Sequence, residues 1–406
     1  MECCDHVRHP RRTRAARRRP AGVFHDRRRP AGEGALPPCG CRCRGIGSHP
    51  RAGRAGDAHE CPRPRGPPGR GAVNTVTVTA PGKLYLVGEY AVLDGAPALL
   101  AAIERRVSVS VTDSESWSIT SPQLGIDRLD LGEGGALPEG IEDALRRRLR
   151  LFDRVRSAVA ERSAAGPAVH IDIDSSPFFV DSHKLGLGSS AAVAVALTAA
   201  LAAAYGPPLT PEALFATASR AHTEAQGGRG SGGDVAAGVY GGLLRYTRGE
   251  PPAPRGWPNG LGFFAVTTGS GSSTVDLVSR VADFAVRDPR AHRRDLDRLG
   301  SLAARVDDAL ADADSFLELA AEYFAGVETL DRHAGAGIVS ERHRELRELA
   351  TASGAVFKTS GAGGGDLGLV FAKLDSTDQL QSVFTEAGAT VIPAPFSPDG
   401  VRTGDA

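Results

Sequence analysis

A glycine-rich loop at residues 184–192 has the composition of an anion-binding site. Its sequence, KLGLGSSAA, leads directly into a long alanine-rich stretch that is predicted to be helical. Glycines such as Gly186 and Gly188 let backbone N–H groups approach an anion without a Cβ in the way, and a helix start adds partial positive charge. The hydroxyls of Ser189 and Ser190 could bond a phosphate or Mg²⁺. The loop therefore predicts a phosphate cradle.

Two other interpretations of this loop stay open from its letters alone. It could be a tight turn in which the serines cap the helix. Read as G-x-G-x-x-A, it also matches a dinucleotide-binding fingerprint. That fingerprint follows a strand directly, whereas residues 175–183 intervene here after the nearest alternating strand. The loop also lacks the G-K-[ST] ending of a Walker A loop, so the context favours a phosphate loop of another kind.

A second cluster, at residues 226–236, delivers Asp234 to the start of a helix rich in small residues. The commonest role of an aspartate in this position is to cap the helix. If it faced a phosphate cradle, its carboxylate could instead orient a substrate hydroxyl or accept its proton, as phosphoryl transfer requires. Both interpretations stay open at this stage.

The placement of the lysines favours the same chemistry. The chain has 44 arginines and only four lysines, and three of them, Lys83, Lys184 and Lys358, lie in or beside glycine-rich segments. A compact ammonium suits a moving phosphoryl group better than a planar guanidinium does. Lys83 belongs to a third segment, APGKL, which is followed by GEYAV at residues 88–92. A fourth segment, GAGGGD at residues 361–366, predicts by itself only a hairpin turn.

The elements that must position these segments are of mixed type. Alternating apolar residues predict strands near residues 76–78, 107–111 and 169–173. An amphipathic helix is predicted over residues 141–159, and another after Thr210, which could cap it, with Pro211 in its first turn. A proline- and glycine-rich stretch at residues 248–260 predicts a domain boundary. The elements predicted beyond it are a strand at 262–268, helices at 296–333 and 338–353, strands at 355–360 and 367–372, a helix from 376 and a strand near 391. We therefore expect an α+β fold.

The first 72 residues differ in kind from the rest of the chain. They hold all six cysteines and 17 arginines against 6 acidic residues, whereas residues 73–406 hold 31 basic and 42 acidic residues. They have no apolar period and so predict no packed core. Their arginines also suit a transit peptide or a nucleic-acid-binding arm, and the C-x-C-x-C run at residues 39–43 lacks the paired spacing of zinc sites. Because Met1 is the only methionine, we expect these residues to be upstream sequence of the gene that is read in frame. Translation is then expected to start at a valine codon near residue 73.

Taken in order, these segments resemble the GHMP kinases, a family of small-molecule kinases. The matching motifs are PGK with GEY at residues 81–90, GLGSSAA at 186–192 and SGAGGGD at 360–366. The resemblance implies a ribosomal protein S5 domain 2-like, ATP-binding domain at residues 73–250 and a ferredoxin-like domain at 251–402. Within the family the details are most similar to phosphomevalonate kinases, through Lys184 before the second motif, GSGGD at 230–234 and TGSGSST at 268–274.

The resemblance also implies roles for single residues. It makes Asp234 the catalytic aspartate and Lys83 the cation that steadies the transferred phosphoryl group. Ser190 resembles a Mg²⁺ ligand, and Glu224 a second one, although its spacing to Asp234 is one residue short. The implied ATP contacts are Lys184, Gly186, Leu187, Gly188, Ser189, Ser190 and Gly363. The implied substrate contacts are Tyr90, Arg229, Ser272 and Gly363. The family often has a lysine before the aspartate that this chain lacks, and Arg229 is expected to replace it.

The implied reaction is the phosphorylation of (R)-5-phosphomevalonate by ATP with Mg²⁺, which yields 5-diphosphomevalonate. The alternatives are a mevalonate kinase or another small-molecule kinase of the family, and a catalytically inactive nucleotide-binding sensor. No apolar run reaches the roughly 20 residues of a membrane span. We therefore expect a cytoplasmic enzyme, monomeric or homodimeric, that binds neither membrane nor nucleic acid.

Overall fold

The computed structural model describes residues 74–162, 166–180, 183–228, 230–267, 274–365 and 367–405. All of these residues lie within one compact unit, Gly66–Ala406. The amino-terminal segment of residues 1–72 lies outside the described residues. So do Arg229, Ser272 and Asp366, and the predictions made for them stay predictions.

The strands of the described residues form two main sheets and one short hairpin. The alternating pattern behind their prediction is visible in the burial of Val107, Val109 and Val111, each of which is at most 1% exposed. The strands, in chain order, are β1 (Thr75–Val87), β2 (Ala98–Asp113), β3 (Ser118–Ser121), β4 (Ile126–Asp130), β5 (Val169–Asp174), β6 (Phe179–Val180), β7 (His183–Lys184), β8 (Leu243–Tyr246), β9 (Ala253–Arg255), β10 (Leu261–Thr267), β11 (Val356–Thr359), β12 (Leu367–Lys373), β13 (Thr390–Ile392) and β14 (Arg402–Asp405).

The first sheet runs in the order β14-β1-β2-β5-β3-β4, and β8 and β9 extend it from β2. The long pair β1 and β2 is antiparallel, with shifts of register between Pro81 and Gly82 and between Tyr85 and Val87. Such irregularities re-aim side chains. Here they bracket the part of β1 that carries Lys83.

Most helices begin close to the predicted positions, but the helical region predicted over residues 296–333 begins earlier, at Pro289, and is divided into three helices. Thr210 accepts a hydrogen bond from the N–H of Ala213, and Pro211 begins the next helix, as the sequence predicts. The amphipathic helix predicted over residues 141–159 is broken at Leu149. The helices are α1 (Asp143–Arg148), α2 (Arg150–Ala160), α3 (Ser189–Tyr205), α4 (Pro211–Ala225), α5 (Gly233–Tyr240), α6 (Thr274–Arg287), α7 (Pro289–Ala304), α8 (Val306–Ala309), α9 (Ala313–Ala334), α10 (Glu341–Ala352) and α11 (Thr377–Glu386).

Helix α3 is the central helix of the first half of the fold. It packs against β1 and β2 on one side and against α2, α4 and α5 on the others. Alanine, valine and leucine occupy nearly every position, which suits a helix that is buried all round. Because α3 packs against β1, the glycine-rich loop at its start lies close to that strand.

The second sheet has the order β11-β12-β10-β13, and every neighbouring pair is antiparallel. Numbered along the chain, this is the order 2-3-1-4 of a ferredoxin-like sheet, so the predicted arrangement is confirmed. The glycine-rich segment at residues 361–365 joins β11 to β12 and forms the turn of their hairpin.

The first sheet also contains residues from far along the chain. Strand β9 reaches Arg255, and β14 pairs with β1. The predicted division after residue 250 therefore does not coincide with the end of the first sheet, and it stays a prediction. Within the described part of the chain, no helix has both the length and the apolar character needed to cross a bilayer.

Candidate active site

The glycine-rich loop ends at the first turn of α3. Gly186 and Gly188 have φ angles of +71° and +82°, left-handed values that glycine adopts without strain. Gly188 is the N-cap of α3, and no side chain caps this helix. The alternative of a serine-capped turn is therefore wrong. The first N–H groups of a helix have no acceptor within it, so the start of α3 presents donors and partial positive charge to an anion.

Lys83 lies against this loop. Its backbone N–H donates to the carbonyl of Leu187 at 2.9 Å. A Cβ at Gly188 would lie 2.8 Å from Cγ and 2.9 Å from Cε of Lys83, closer than real Cβ contacts come. Glycine is thus required at position 188 both for its φ angle and for the passage of the lysine side chain.

The ammonium of Lys83 meets Asp234, which comes from the start of α5. Lys83 Nζ and Asp234 Oδ2 are 3.7 Å apart, and the side chains are 7% and 28% exposed. Asp234 lies inside the first turn of α5, whose N-cap is Gly232. The helix-capping interpretation of Asp234 is therefore wrong, and its carboxylate is free to act beside the lysine at the glycine-rich loop.

The turn between β11 and β12, residues 360–365, belongs to the third family motif and is called the third glycine-rich segment below; it closes over the same strand. Ser360 Oγ accepts a hydrogen bond from the N–H of Tyr85 and donates one to the carbonyl of Tyr85, both at 3.0 Å. A Cβ at Gly361 would lie 3.5 Å from Lys83 Nζ, so this turn borders the ammonium. Gly363, with φ of +82°, lies so close to Ile338 that a Cβ would come within 2.4 Å of its carbonyl oxygen.

Ser190 contacts a buried histidine of α4. Its Oγ lies 3.1 Å from Nε2 of His222, which is also 3.1 Å from Nε2 of Gln226. Burial lowers the pKa of His222, the charges of Lys184 and Lys83 lower it further, and Asp234 opposes them. The pKa of His222 therefore depends on all three of these charged side chains. Since the amide of Gln226 can only donate from its nitrogen, a neutral His222 accepts at Nε2.

The arrangement is that of a known family. Residues 150–242 match the GHMP kinases N terminal domain. The chain is 31% identical to the phosphomevalonate kinase of Streptomyces sp. (strain CL190) over 369 residues, covering 80% of this chain and 97% of the relative. The chain belongs to the GHMP kinase family. Membership of a kinase family implies that ATP is the phosphoryl donor.

Other GHMP kinases match over most of their length. The mevalonate kinase of Archaeoglobus fulgidus is 32% identical over 287 residues, covering 71% of this chain and 89% of the relative. The solved structure of Streptococcus pneumoniae phosphomevalonate kinase in complex with phosphomevalonate and AMPPNP matches with a TM-score of 0.68 and 22% identity, covering 79% of this chain and 99% of that one. This last likeness supports the α+β GHMP kinase fold.

Three of the residues predicted for this GHMP kinase site, Glu224, Lys184 and Tyr90, have surroundings unlike those of Lys83 and Asp234. Glu224 is exposed. It follows His222 by two residues, which is a rotation of about 200° around a helix, so the structure does not bring it to Ser190. Lys184 is exposed on the short hairpin of β6 and β7. Tyr90 is 5% exposed, and its hydroxyl donates to the carbonyl of Ala362 at 2.6 Å, so that hydroxyl supports the third glycine-rich segment.

The structure adds residues that sequence reasoning missed. Tyr85 lies under the ammonium of Lys83, and His222 contacts Ser190. Lys358 was noted from the sequence for its place beside glycines, but its pairing with buried Glu89 was not predicted. Tyr85 and Glu89 lie beside or within the first motif, and Lys358 comes two residues before the third. Their nearness to the motifs was the available signal. No local pattern distinguishes a partner of the site from an ordinary core residue.

Proposed function

We propose that this GHMP kinase transfers the γ-phosphoryl group of ATP to (R)-5-phosphomevalonate. An oxygen of the acceptor phosphate bonds to the γ-phosphorus, and the bond from that phosphorus to the β,γ-bridging oxygen breaks. The products are 5-diphosphomevalonate and ADP. The choice of acceptor is supported by the Streptomyces relative, which is named a phosphomevalonate kinase and which this chain matches over 97% of its length.

The observation that carries the proposal is the pairing of Lys83 with Asp234 beside the glycine-rich loop. The pair lies 3.7 Å apart, with a buried ammonium and a partly exposed carboxylate. The ammonium can neutralise charge on the phosphoryl group as it moves, and the carboxylate can orient the ammonium and the acceptor. In phosphoryl transfer, such positioning and charge stabilisation supply most of the rate enhancement.

The described residues fit a nucleotide bound with Mg²⁺. The left-handed glycines at 186 and 188 and the start of α3 would hold the phosphates, as predicted for Gly186, Leu187, Gly188 and Ser189. Mg²⁺ in kinase sites binds through one or two protein groups and the substrate phosphates. Ser190 would supply such a ligand. When bound, the ion would neutralise charge on the phosphates.

Base catalysis is a small part of the proposed mechanism. A phosphate monoester is already largely ionised near neutral pH, because its second pKa is about 6. Asp234 is therefore proposed to orient the acceptor rather than to remove a proton from an alcohol. Arg229, Ser272 and Gly363 remain proposed contacts of the acceptor. The proposed domains remain residues 73–250 and residues 251–402.

Mevalonate is the second candidate acceptor. It is favoured by the mevalonate kinase of Archaeoglobus fulgidus, which is 32% identical to this chain over 89% of its own length. Mevalonate offers an alcohol, whose much higher pKa demands a base. In that case Asp234 would have to accept the proton as well as orient the group.

The test is ADP release with phosphomevalonate, with mevalonate and with no acceptor. We expect turnover with phosphomevalonate that greatly exceeds the other two rates. Asp234→Asn should reduce kcat by about 100-fold or more while ATP affinity, measured by equilibrium binding, is unchanged. Faster turnover with mevalonate than with phosphomevalonate would assign the second candidate instead. Near-normal turnover by Asp234→Asn would overturn the catalytic role of the aspartate.

A further inference from the structure

Tyr85 lies beside the proposed catalytic pair, with its ring near Lys83 and its hydroxyl on the segment before Asp234. It follows Lys83 by two positions on β1 and is 6% exposed. Lys83 Nζ lies 5.0 Å from the centre of its ring, which is within the range of a cation–π interaction. The ring therefore supports the ammonium from the side of the strand.

The hydroxyl of Tyr85 reaches the segment that carries Asp234. It lies 2.7 Å from Oγ of Ser231, and this Oγ in turn accepts a hydrogen bond from the N–H of Gly233 at 3.1 Å. The carbonyl of Ser231 accepts from the hydroxyl of Tyr246 at 2.6 Å. Ser231 is thus fixed through both its side chain and its backbone, immediately before the first turn of α5.

Gly233 leaves the space that this hydroxyl occupies. A Cβ at Gly233 would lie 2.7 Å from the hydroxyl oxygen of Tyr85 and 2.9 Å from Cδ1 of Leu100. The φ angle of Gly233 is not left-handed, so its backbone does not demand glycine. Glycine is needed here because it leaves space for the hydroxyl of Tyr85, and not because of its backbone conformation.

The backbone of Tyr85 is held from the opposite side by the third glycine-rich segment. Ser360 Oγ bonds both its N–H and its carbonyl, and Lys358 Nζ donates to the same carbonyl at 3.4 Å. Any buried tyrosine needs hydrogen-bond partners for these groups, but those of Tyr85 come from segments of the candidate site. The side chain and the backbone of this one each bind a different part of the site.

We propose that Tyr85 is a positioning residue that fixes Lys83 relative to Asp234, through its ring under the ammonium and through its hydroxyl on Ser231. The proposal rests on the proposed function, in which Lys83 and Asp234 are the catalytic pair. Burial, and then the charge of Asp234, raises the pKa of the Tyr85 hydroxyl well above its usual value. The hydroxyl therefore stays protonated near neutral pH.

The two arms of the proposal can be tested separately. Tyr85→Phe removes only the hydroxyl, and Ser231→Ala removes its partner. Each should lower kcat by about tenfold while the KM values for both substrates stay within about twofold, because a misplaced reacting group costs rate rather than binding. The double variant should be no slower than either single variant, since both break the same contact. Tyr85→Leu, which also removes the ring, should be slower still.

The matched control is Tyr205→Phe. Its hydroxyl donates to the carbonyl of Pro167 at 3.4 Å, at the end of α3 away from the glycine-rich loop. This variant should keep the kcat of the parent. Thermal unfolding of every variant reports whether the fold is intact.

Three outcomes would overturn the proposal. One is a parental kcat for Tyr85→Phe. The second is additive losses in the double variant, which would mean that the hydroxyl and Ser231 act independently. The third is a loss of kcat accompanied by equal rises in both KM values and a lower Tm, which is the signature of a general packing defect. If Lys83→Met and Asp234→Asn are also fully active, the proposed function fails together with the inference.

Discussion

The ammonium of Lys358 donates a hydrogen bond to Oε1 of Glu89 in the interior of the protein, where 0% and 4% of their side chains are exposed. Lys358 belongs to β11 of the second sheet, and Glu89 follows β1 of the first. Lys358 also donates to the carbonyls of Tyr85 and Thr359, so its three protons have acceptors. Burial lowers the pKa of Lys358, and Glu89 opposes that shift. The pair therefore joins the two sheets beside β1, the strand that carries Lys83.

We expect Lys358→Met to lower the free energy of unfolding by about 3–5 kcal/mol, because it leaves the carboxylate of Glu89 buried without its cation. Changing both residues, as Lys358→Met with Glu89→Leu, should recover most of the loss. Urea unfolding measures both effects. The control is Lys373→Met, because Lys373 pairs with Asp314 at 2.5 Å on the surface, where 47% and 80% of the side chains are exposed. It should cost under about 1 kcal/mol. Equal losses at the two lysines would contradict the expectation.

We expect Gly188→Ala to impair catalysis more than folding. Its Cβ would displace the side chain of Lys83, and a small displacement of a reacting group can cost about 100-fold in rate. The control is Gly249→Ala, at a position with φ of +86° and no atom within 4 Å of the added Cβ. Both variants carry the same backbone strain of about 1 kcal/mol, but only Gly188→Ala should lose kcat. Equal activities of the two variants would show that Lys83 does not need this space.

We expect His343 to make stability depend on pH. It is 0% exposed, and burial, followed by the charge of Arg344, lowers its pKa from 6.5 to about 4. The N–H of Ser340 donates to its Nδ1 at 3.2 Å, which requires the neutral ring. Because the unfolded chain takes up the proton first, this contribution is complete above pH 6.5 and is lost as the pH falls from 6.5 towards 4. The loss should reach about 3 kcal/mol.

The measurement compares urea unfolding of the parent and of His343→Gln at pH 7.5 and pH 5. Glutamine at this position can preserve the capping box with Ser340, but it does not titrate. The parent should lose about 2 kcal/mol more than the variant between these two pH values. If both lose the same free energy, the pH dependence arises from other groups.

Much of the fold follows from local patterns. The alternation in β2, the capping of α4 by Thr210 and the hairpin of β11 and β12 are all readable from neighbouring letters. The break at Leu149 was not predicted, because its apolar spacing continues unchanged from one helix to the next. The pairing of β14 with β1 was not predicted either, since no local pattern names a partner so far along the chain.

The proposed catalytic pair could be predicted because both of its members lie in recognisable motifs. Lys83 is a rare lysine among glycines, and Asp234 follows a glycine-rich loop. The core residues that contact the site could not be predicted. Tyr85 reaches Ser231, and His222 reaches Ser190, across long stretches of chain, and such contacts form only when the sheets and helices pack.

The pairing of β14 with β1 determines when the first sheet of this kinase can be completed during synthesis. Val76 faces Asp405, and Thr79 faces Arg402, so the strand that carries Lys83 receives its outer neighbour from residues made more than 320 positions later. During synthesis on the ribosome, the N–H and C=O groups along that edge of β1 stay unpaired until those last residues emerge. An unpaired edge is a template for other strands, so we expect nascent chains released before residue 402 to aggregate through this edge of β1.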